Sequence, residues 1–125
     1  MERVLEYIKG NPQEAEWEID SNLDTSWPTE GCIDLEDYET RYRAGLDFVL
    51  RGISMKVDGQ MKMGICGRTG AGKSSLTLSL FRIIEAASGK IEVDGRDISK
   101  LGLHKLRSCL TIIPQEPVLF SGKLL

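Results

Sequence analysis

The chain has 125 residues, of which 41% are hydrophobic and 28% charged, and its net charge is −3. This is enough for one small core of ordinary globular composition, and it excludes a chain-wide basic field for nucleic acid or anionic lipid. The charge is uneven: residues 1–30 carry eight acids against two bases, leaving 11 acids and 14 bases for residues 31–125.

An acidic lead-in thus precedes a body able to tolerate an anionic ligand. Residues 2–9 (ERVLEYIK) place Val4, Leu5 and Ile8 at helical spacing, which predicts a short amphipathic helix. Pro12, a run of acids and Trp27-Pro28 then read as an extended, solvated connector. From Gly31 the texture changes. Ile33, Leu35, Tyr38 and Tyr42 lie among charged residues in a broken alternation, which predicts a half-exposed strand. Phe48–Leu50 and Ile53–Val57 read as further antiparallel strand pieces, punctuated by Arg51-Gly52, and Asp58-Gly59 is a hairpin signal. Met61–Gly67 (MKMGICG) is expected as a short strand of small residues.

Leu76, Leu80, Ile83 and Ile84 fall on one face of a helix expected from about Lys73 to Ala87, with Ser88-Gly89 as its C-cap. Ile91–Val93 is a strand closed by Asp94-Gly95. A short helix follows near Leu103–Arg107, and Leu110–Ile113 is expected as a buried strand ended by Pro114. Cys32, Cys66 and Cys109 form no CxxC pair, and His104 stands alone, so a reduced setting with thiols acting as small buried hydrophobes is expected. The N-terminus lacks the apolar stretch of a signal peptide, and no apolar run approaches the ~20 residues that span a bilayer.

Residues Gly67 to Ser75 read GRTGAGKSS and match G-x-x-x-x-G-K-[ST] at every fixed position. The glycines at 67, 70 and 72, with Arg68, Thr69 and Ala71 between them, allow successive N–H groups to turn round a phosphate without Cβ clashes. A following helix aims its positive end at the same point. Lys73 supplies a charge for the β- and γ-phosphates, the Ser74 hydroxyl can ligate Mg²⁺, and Ser75 can add a contact on the α-phosphate side. A predicted strand before and helix after make this a phosphate cradle rather than a flexible turn. The motif alone does not choose between GTPases, kinases and transport ATPases, although no N-K-x-D guanine-reading motif occurs.

The flanks carry a resemblance. The segments MGICGRTGAGKSSLTLSLFRI, SGKIEVDGRDI, LHKLRSCLTIIPQEPVLFSG and DYETRYRAGLDFVLRGIS resemble an ATP-binding-cassette (ABC) transporter. More narrowly, they are similar to the second nucleotide-binding domain of the multidrug resistance-associated (C) subfamily. The resemblance runs from about Glu30 to Gly122. It implies an α/β fold, the ABC-type P-loop NTPase domain in part: an antiparallel β-subdomain plus the first part of the α/β core. Residues 1–30 would be an acidic linker following the last membrane helix, and 31–125 the N-terminal part of the domain.

The resemblance further implies ATP with Mg²⁺ as ligand. Tyr42 falls at the adenine-stacking aromatic, with Tyr38 as the competing position; from the residues alone either tyrosine reads equally as strand core. Gln115 falls at the glutamine that ligates Mg²⁺ and orients the attacking water. The family's signature, Walker B aspartate, catalytic glutamate and switch histidine come later in the domain, so none is matched here and His104 reads as a surface residue. These 125 residues alone are therefore expected to bind ATP without hydrolysing it, and to expose a strand edge and an apolar helix face. In the whole transporter the implied partners are the membrane-spanning domains and the other nucleotide-binding domain, at the cytoplasmic face of a membrane. The implied work is export of organic anions, conjugates or drugs. A channel-regulating nucleotide sensor of the same subfamily is the alternative.

Overall fold

The computed structural model describes residues 2–11, 13–19 and 26–113. The expected N-terminal helix is present as α1 (Glu2–Gly10). Its Val4 and Ile8 side chains are exposed. Among the described residues no helix is long and apolar enough to cross a membrane.

The centre of the molecule is an antiparallel sheet of β1 (Ile33–Thr40), β2 (Leu50–Val57), β3 (Ala86–Val93) and β4 (Arg96–Asp97), in the order β2-β1-β3-β4. The broken alternation of β1 has a physical cause. Its pairing with β2 slips between Leu35 and Tyr38, where Asp37 adopts φ 43. The extra residue shifts the pleat, so that Leu35, Tyr38 and Thr40 are all buried on one side of a strand whose period would otherwise be two. The Asp37 N–H donates to Ser54 Oγ, and that hydroxyl donates back to Asp37 Oδ1, both at 2.9 Å, which pins the bulge to β2. A second slip lies between Tyr38↔Ile53 and Thr40↔Leu50. Arg51-Gly52, expected as punctuation between two pieces, is therefore an internal bulge in one continuous β2.

The nucleotide-motif helix is shorter than its apolar periodicity predicts. α2 spans Lys73–Leu80 and is capped at Phe81. Beyond it Arg82 turns to φ 50, and the Ile83 N–H reaches back to the Leu78 carbonyl. A buried guanidinium explains the stop. Arg82 Nη1 donates to the carbonyls of Ile98 (2.9 Å) and Leu101 (2.8 Å), while Nε and Nη2 bind the Glu85 carboxylate. Satisfying those buried carbonyls outweighs one more helical turn. Ser88-Gly89, expected as a C-cap, instead lies in β3 opposite the β1 bulge. Gly89 has φ 71 there, and a Cβ would strike the carbonyl oxygens of Glu36 and Asp37.

A 3₁₀ turn (Ile98–Lys100) and α3 (Leu103–Cys109) follow, α3 close to its predicted span. The core gathers Leu35, Tyr38, Ile91 and Val93 from the sheet, Leu76 from α2, and Ile98, Leu101 and Leu106 from the last segment. Trp27 joins it: buried, with Nε1–H donating to the Val93 carbonyl at 3.2 Å. The connector is thus anchored rather than solvated at this end. Asp94, in the β3–β4 turn, gathers the N–H groups of Thr29, Glu30, Gly31 and Cys32 at 2.7–3.2 Å. Desolvation pushes its carboxyl upward, but those four donors outweigh this and hold it below the usual carboxylate range.

Two expected strands do not form. Residues 61–67 and 110–113 belong to no sheet, and Met61, Met63, Ile65, Ile112 and Ile113 are exposed. A strand needs a ladder partner, and among the described residues none pairs with either segment. Apolar surface is left in water, as expected of part of an α/β core. Cys66 is exposed in the same stretch and Cys32 and Cys109 are only partly buried, so the thiols are not the buried hydrophobes expected.

Candidate nucleotide-binding site

The glycine loop and the start of α2 line a cleft of about 570 Å³. Thr69, Gly70, Gly72, Lys73, Ser74 and Ser75 form its floor and one wall, and Tyr42 and Val49 complete it. The loop is shaped by two left-handed glycines, Gly70 at φ 81 and Gly72 at φ 88. At Gly72 the geometry requires glycine twice over. Any L side chain is strained at that φ, and a Cβ would sit 2.8 Å from Leu50 Cδ2 and 3.1 Å from the Val49 carbonyl. The glycine loop is thereby seated directly on Val49 and Leu50, where β2 begins.

Gly72 is also the N-cap of α2. It offers no side chain to the first-turn amides, and that turn holds no acid. The partial positive charge of the helix start is left uncompensated and aimed into the cleft, the arrangement that suits an anion. The Lys73 ammonium folds over the loop and donates to the carbonyls of Gly67 (2.7 Å) and Arg68 (2.8 Å). The Ala71 N–H closes the turn onto Arg68 O at 3.1 Å. Ser74 is exposed at the cleft, while Ser75 is buried and its hydroxyl meets Tyr42 Oη at 2.9 Å.

The two tyrosine candidates separate cleanly. Tyr38 is 2% exposed and belongs to the core; burial raises its phenol, opposed by hydrogen bonds with Ser79 and Thr40. Tyr42 is 51% exposed and lines the cleft. Among the hydroxyls lining the cleft, those of Thr69 and Ser74 are exposed and that of Ser75 is buried. Gln115 lies outside the described residues. His104 is exposed on α3, as expected, and packs against Trp17 with ring centroids 5.4 Å apart and planes tilted by 39°. Val49 was not singled out in the sequence. Its carbonyl contact with Gly72 is long-range, and only its place just before β2 hints at it.

A glycine loop that runs into a helix with no side-chain cap, beside an antiparallel sheet whose β1–β2 connection lends an aromatic ring to the same cleft, defines a P-loop nucleotide-binding domain of the ABC type. The description "ABC transporter" is that of the family whose profile matches residues 50–124, and the chain belongs to this family. The similarity to C-subfamily members extends along the whole chain. ATP-binding cassette sub-family C member 3 of Mus musculus is 54% identical over 125 residues, covering 99% of this chain and 8% of that protein. ATP-binding cassette sub-family C member 2 of Homo sapiens is 54% identical over 124 residues, with the same coverage. Multidrug resistance protein mrp-7 of Caenorhabditis elegans is also 54% identical over 125 residues. The chain therefore spans about 8% of the length of these relatives. Among solved structures, a bacterial Atm1-family ABC exporter with ATP bound superposes with a TM-score of 0.80 at 28% identity, covering 96% of this chain and 20% of that one.

Proposed function

We propose that this chain binds MgATP in the cleft between Tyr42 and the glycine loop, as the N-terminal part of a nucleotide-binding domain of a C-subfamily exporter. The observation that carries the reading is the convergence of three unlike groups on one cleft: an aromatic ring, an uncompensated helix start and a lysine. In this reading the amides of Gly70–Ser75 cradle the phosphates, and Lys73 exchanges the Gly67 and Arg68 carbonyls for the β- and γ-phosphates. Ser74 holds Mg²⁺, which supplies charge neutralisation between phosphate oxygens when bound. Tyr42 stacks on the adenine, a contact worth about 1–3 kcal/mol in comparable base stacking. Gln115 contributes to Mg²⁺ and water as the resemblance implies.

Residues 1–30 then follow the last membrane helix, and residues 31–125 belong to the second of two nucleotide-binding domains, at the cytoplasmic face of a membrane. The partners are the membrane-spanning domains and the other nucleotide-binding domain. Together they hydrolyse ATP to drive export of organic anions, conjugates or drugs, whereas these 125 residues alone bind the nucleotide without turning it over. Isothermal titration of the chain with MgATP tests the first step: binding is expected, and Lys73→Ala should abolish it. Undiminished binding by that variant refutes the assignment of the cradle. ATP turnover by the 125 residues alone, lost on Lys73→Ala, refutes the division of labour. ATP-dependent uptake of a labelled glutathione conjugate into vesicles carrying the whole transporter tests the cargo class.

A further inference from the structure

Tyr42 lies in the connection between β1 and β2, outside the ladder of the sheet. Two contacts tie that connection to the start of α2. At its far end Val49 sits against Gly72, where a Cβ would come within 3.1 Å of the Val49 carbonyl oxygen. At its near end Tyr42 Oη and Ser75 Oγ lie 2.9 Å apart, across 33 residues of chain. The two partners are not held alike. Ser75 is 4% exposed in the first turn of α2, and its carbonyl accepts from Ser79 Oγ at 2.8 Å. Tyr42 is half-exposed, so packing alone fixes its ring weakly, and the bond to Ser75 is the polar contact of its side chain among the described residues.

We propose that Ser75 is a positioning residue for Tyr42: its buried hydroxyl anchors the phenol and so holds the aromatic wall of the cleft in register with the phosphate cradle. The inference rests on the reading of this cleft as the ATP site. A phenol bonds through an oxygen at the edge of its ring, which leaves the π-face for the base. A serine hydroxyl has one proton and two lone pairs. With the phenol donating to Ser75 Oγ, the serine keeps its own proton for an α-phosphate oxygen, and both contacts persist when nucleotide is bound. The bond therefore spares binding part of the cost of ordering the ring. A neutral hydrogen bond of ordinary net strength sets that gain at about 2- to 13-fold in affinity.

Titration of the intact chain with MgATP and, separately, with Mg-tripolyphosphate, which has no base, tests this. Tyr42→Phe keeps the ring and removes the anchor. It should weaken MgATP by about 2- to 13-fold and leave Mg-tripolyphosphate unchanged. Unchanged or tighter MgATP binding overturns the proposal, and so does an equal loss for both ligands, because the hydroxyl would then act on the cradle. In a Ser75→Ala background the same change should cost nothing further, since the bond is already absent. An undiminished loss there also overturns it. Tyr42→Leu should bind MgATP about 5- to 150-fold more weakly than Tyr42→Phe. Equal affinities of those two variants refute stacking and the positioning with it, whereas a loss in Tyr42→Leu without one in Tyr42→Phe refutes the positioning alone. A parent chain that binds no MgATP refutes the reading of the site itself.

Discussion

Replacing Asp94 by asparagine removes one charge without moving the backbone, because asparagine, like aspartate, tolerates the left-handed φ of 47 found there. Oδ2 accepts from Thr29, Glu30 and Gly31, and Oδ1 from Cys32. The amide can keep its oxygen toward the first three donors, which sets its NH₂ against the Cys32 N–H. One charge-assisted bond becomes a donor–donor conflict, and three weaken from charged to neutral. The turn is partly exposed, so water offsets part of this, and a loss of about 1–2 kcal/mol is expected. Asp94→Ala loses all four bonds and adds left-handed strain, for about 2–4 kcal/mol. The pH dependence follows from the depressed carboxyl. Its stabilisation is fully present above the unfolded value of about 3.9 and fades as pH falls through the lower folded value. The gap between parent and Asp94→Asn should therefore be full at pH 7 and narrow below about pH 4. Urea unfolding followed by tryptophan fluorescence, with buried Trp27 as the near reporter, measures it at both pH values. A variant as stable as the parent at pH 7, or a gap that ignores pH, would refute the latching of residues 29–32 by this carboxylate.

Gly89→Ala places a Cβ against the carbonyl oxygens of Glu36 and Asp37 at a left-handed φ, so it should cost at least about 2–3 kcal/mol in the same denaturant assay. Leu106→Ala opens a cavity at a fully buried position and should cost about 2–5 kcal/mol, read as a lower urea midpoint with little change in slope. Ile65→Lys combined with Ile113→Lys is expected to reduce self-association of the chain in light scattering, since both side chains are exposed and apolar. No change in particle size would show that other surface drives association.

The sheet was partly legible in the sequence, and so was the glycine turn into α2, apart from the strand expected before it. GRTGAGKSS has local chemistry: three glycines, one lysine and two hydroxyls specify the turn whatever surrounds it. β1 was found by its residues but not its bulge, because Asp37 at φ 43 is enforced by Ser54, 17 residues away. The end of α2 was hidden for a similar reason. Ile83 and Ile84 continue the helical period, but Arg82 answers carbonyls at positions 98 and 101 that no local window contains. The strands at 61–67 and 110–113 were read from composition, whereas strand structure depends on a neighbour. Tyr38 and Tyr42 could not be separated because the difference is tertiary: Tyr38 packs into the core from β1, whereas Tyr42 lies past the end of that strand and lines the cleft.

Arg107 commits its guanidinium to three places. Nε donates to the Phe81 carbonyl at 3.0 Å, Nη2 to the Arg82 carbonyl at 3.1 Å, and the outer nitrogens grip the Glu14 carboxylate at 2.9 and 3.1 Å. Nearby, the Glu16 and Trp17 carbonyls accept from the first amides of α3, Leu103 and His104. The acidic lead-in is thus strapped to the residues that end α2, while Lys73 at the other end of that helix faces the cleft. Eight residues of α-helix make a stiff rod about 12 Å long. The lead-in and the glycine loop therefore sit at opposite ends of one helix, and among the described residues the contacts of residues 14–17 reach the nucleotide cleft only by way of α2 and α3.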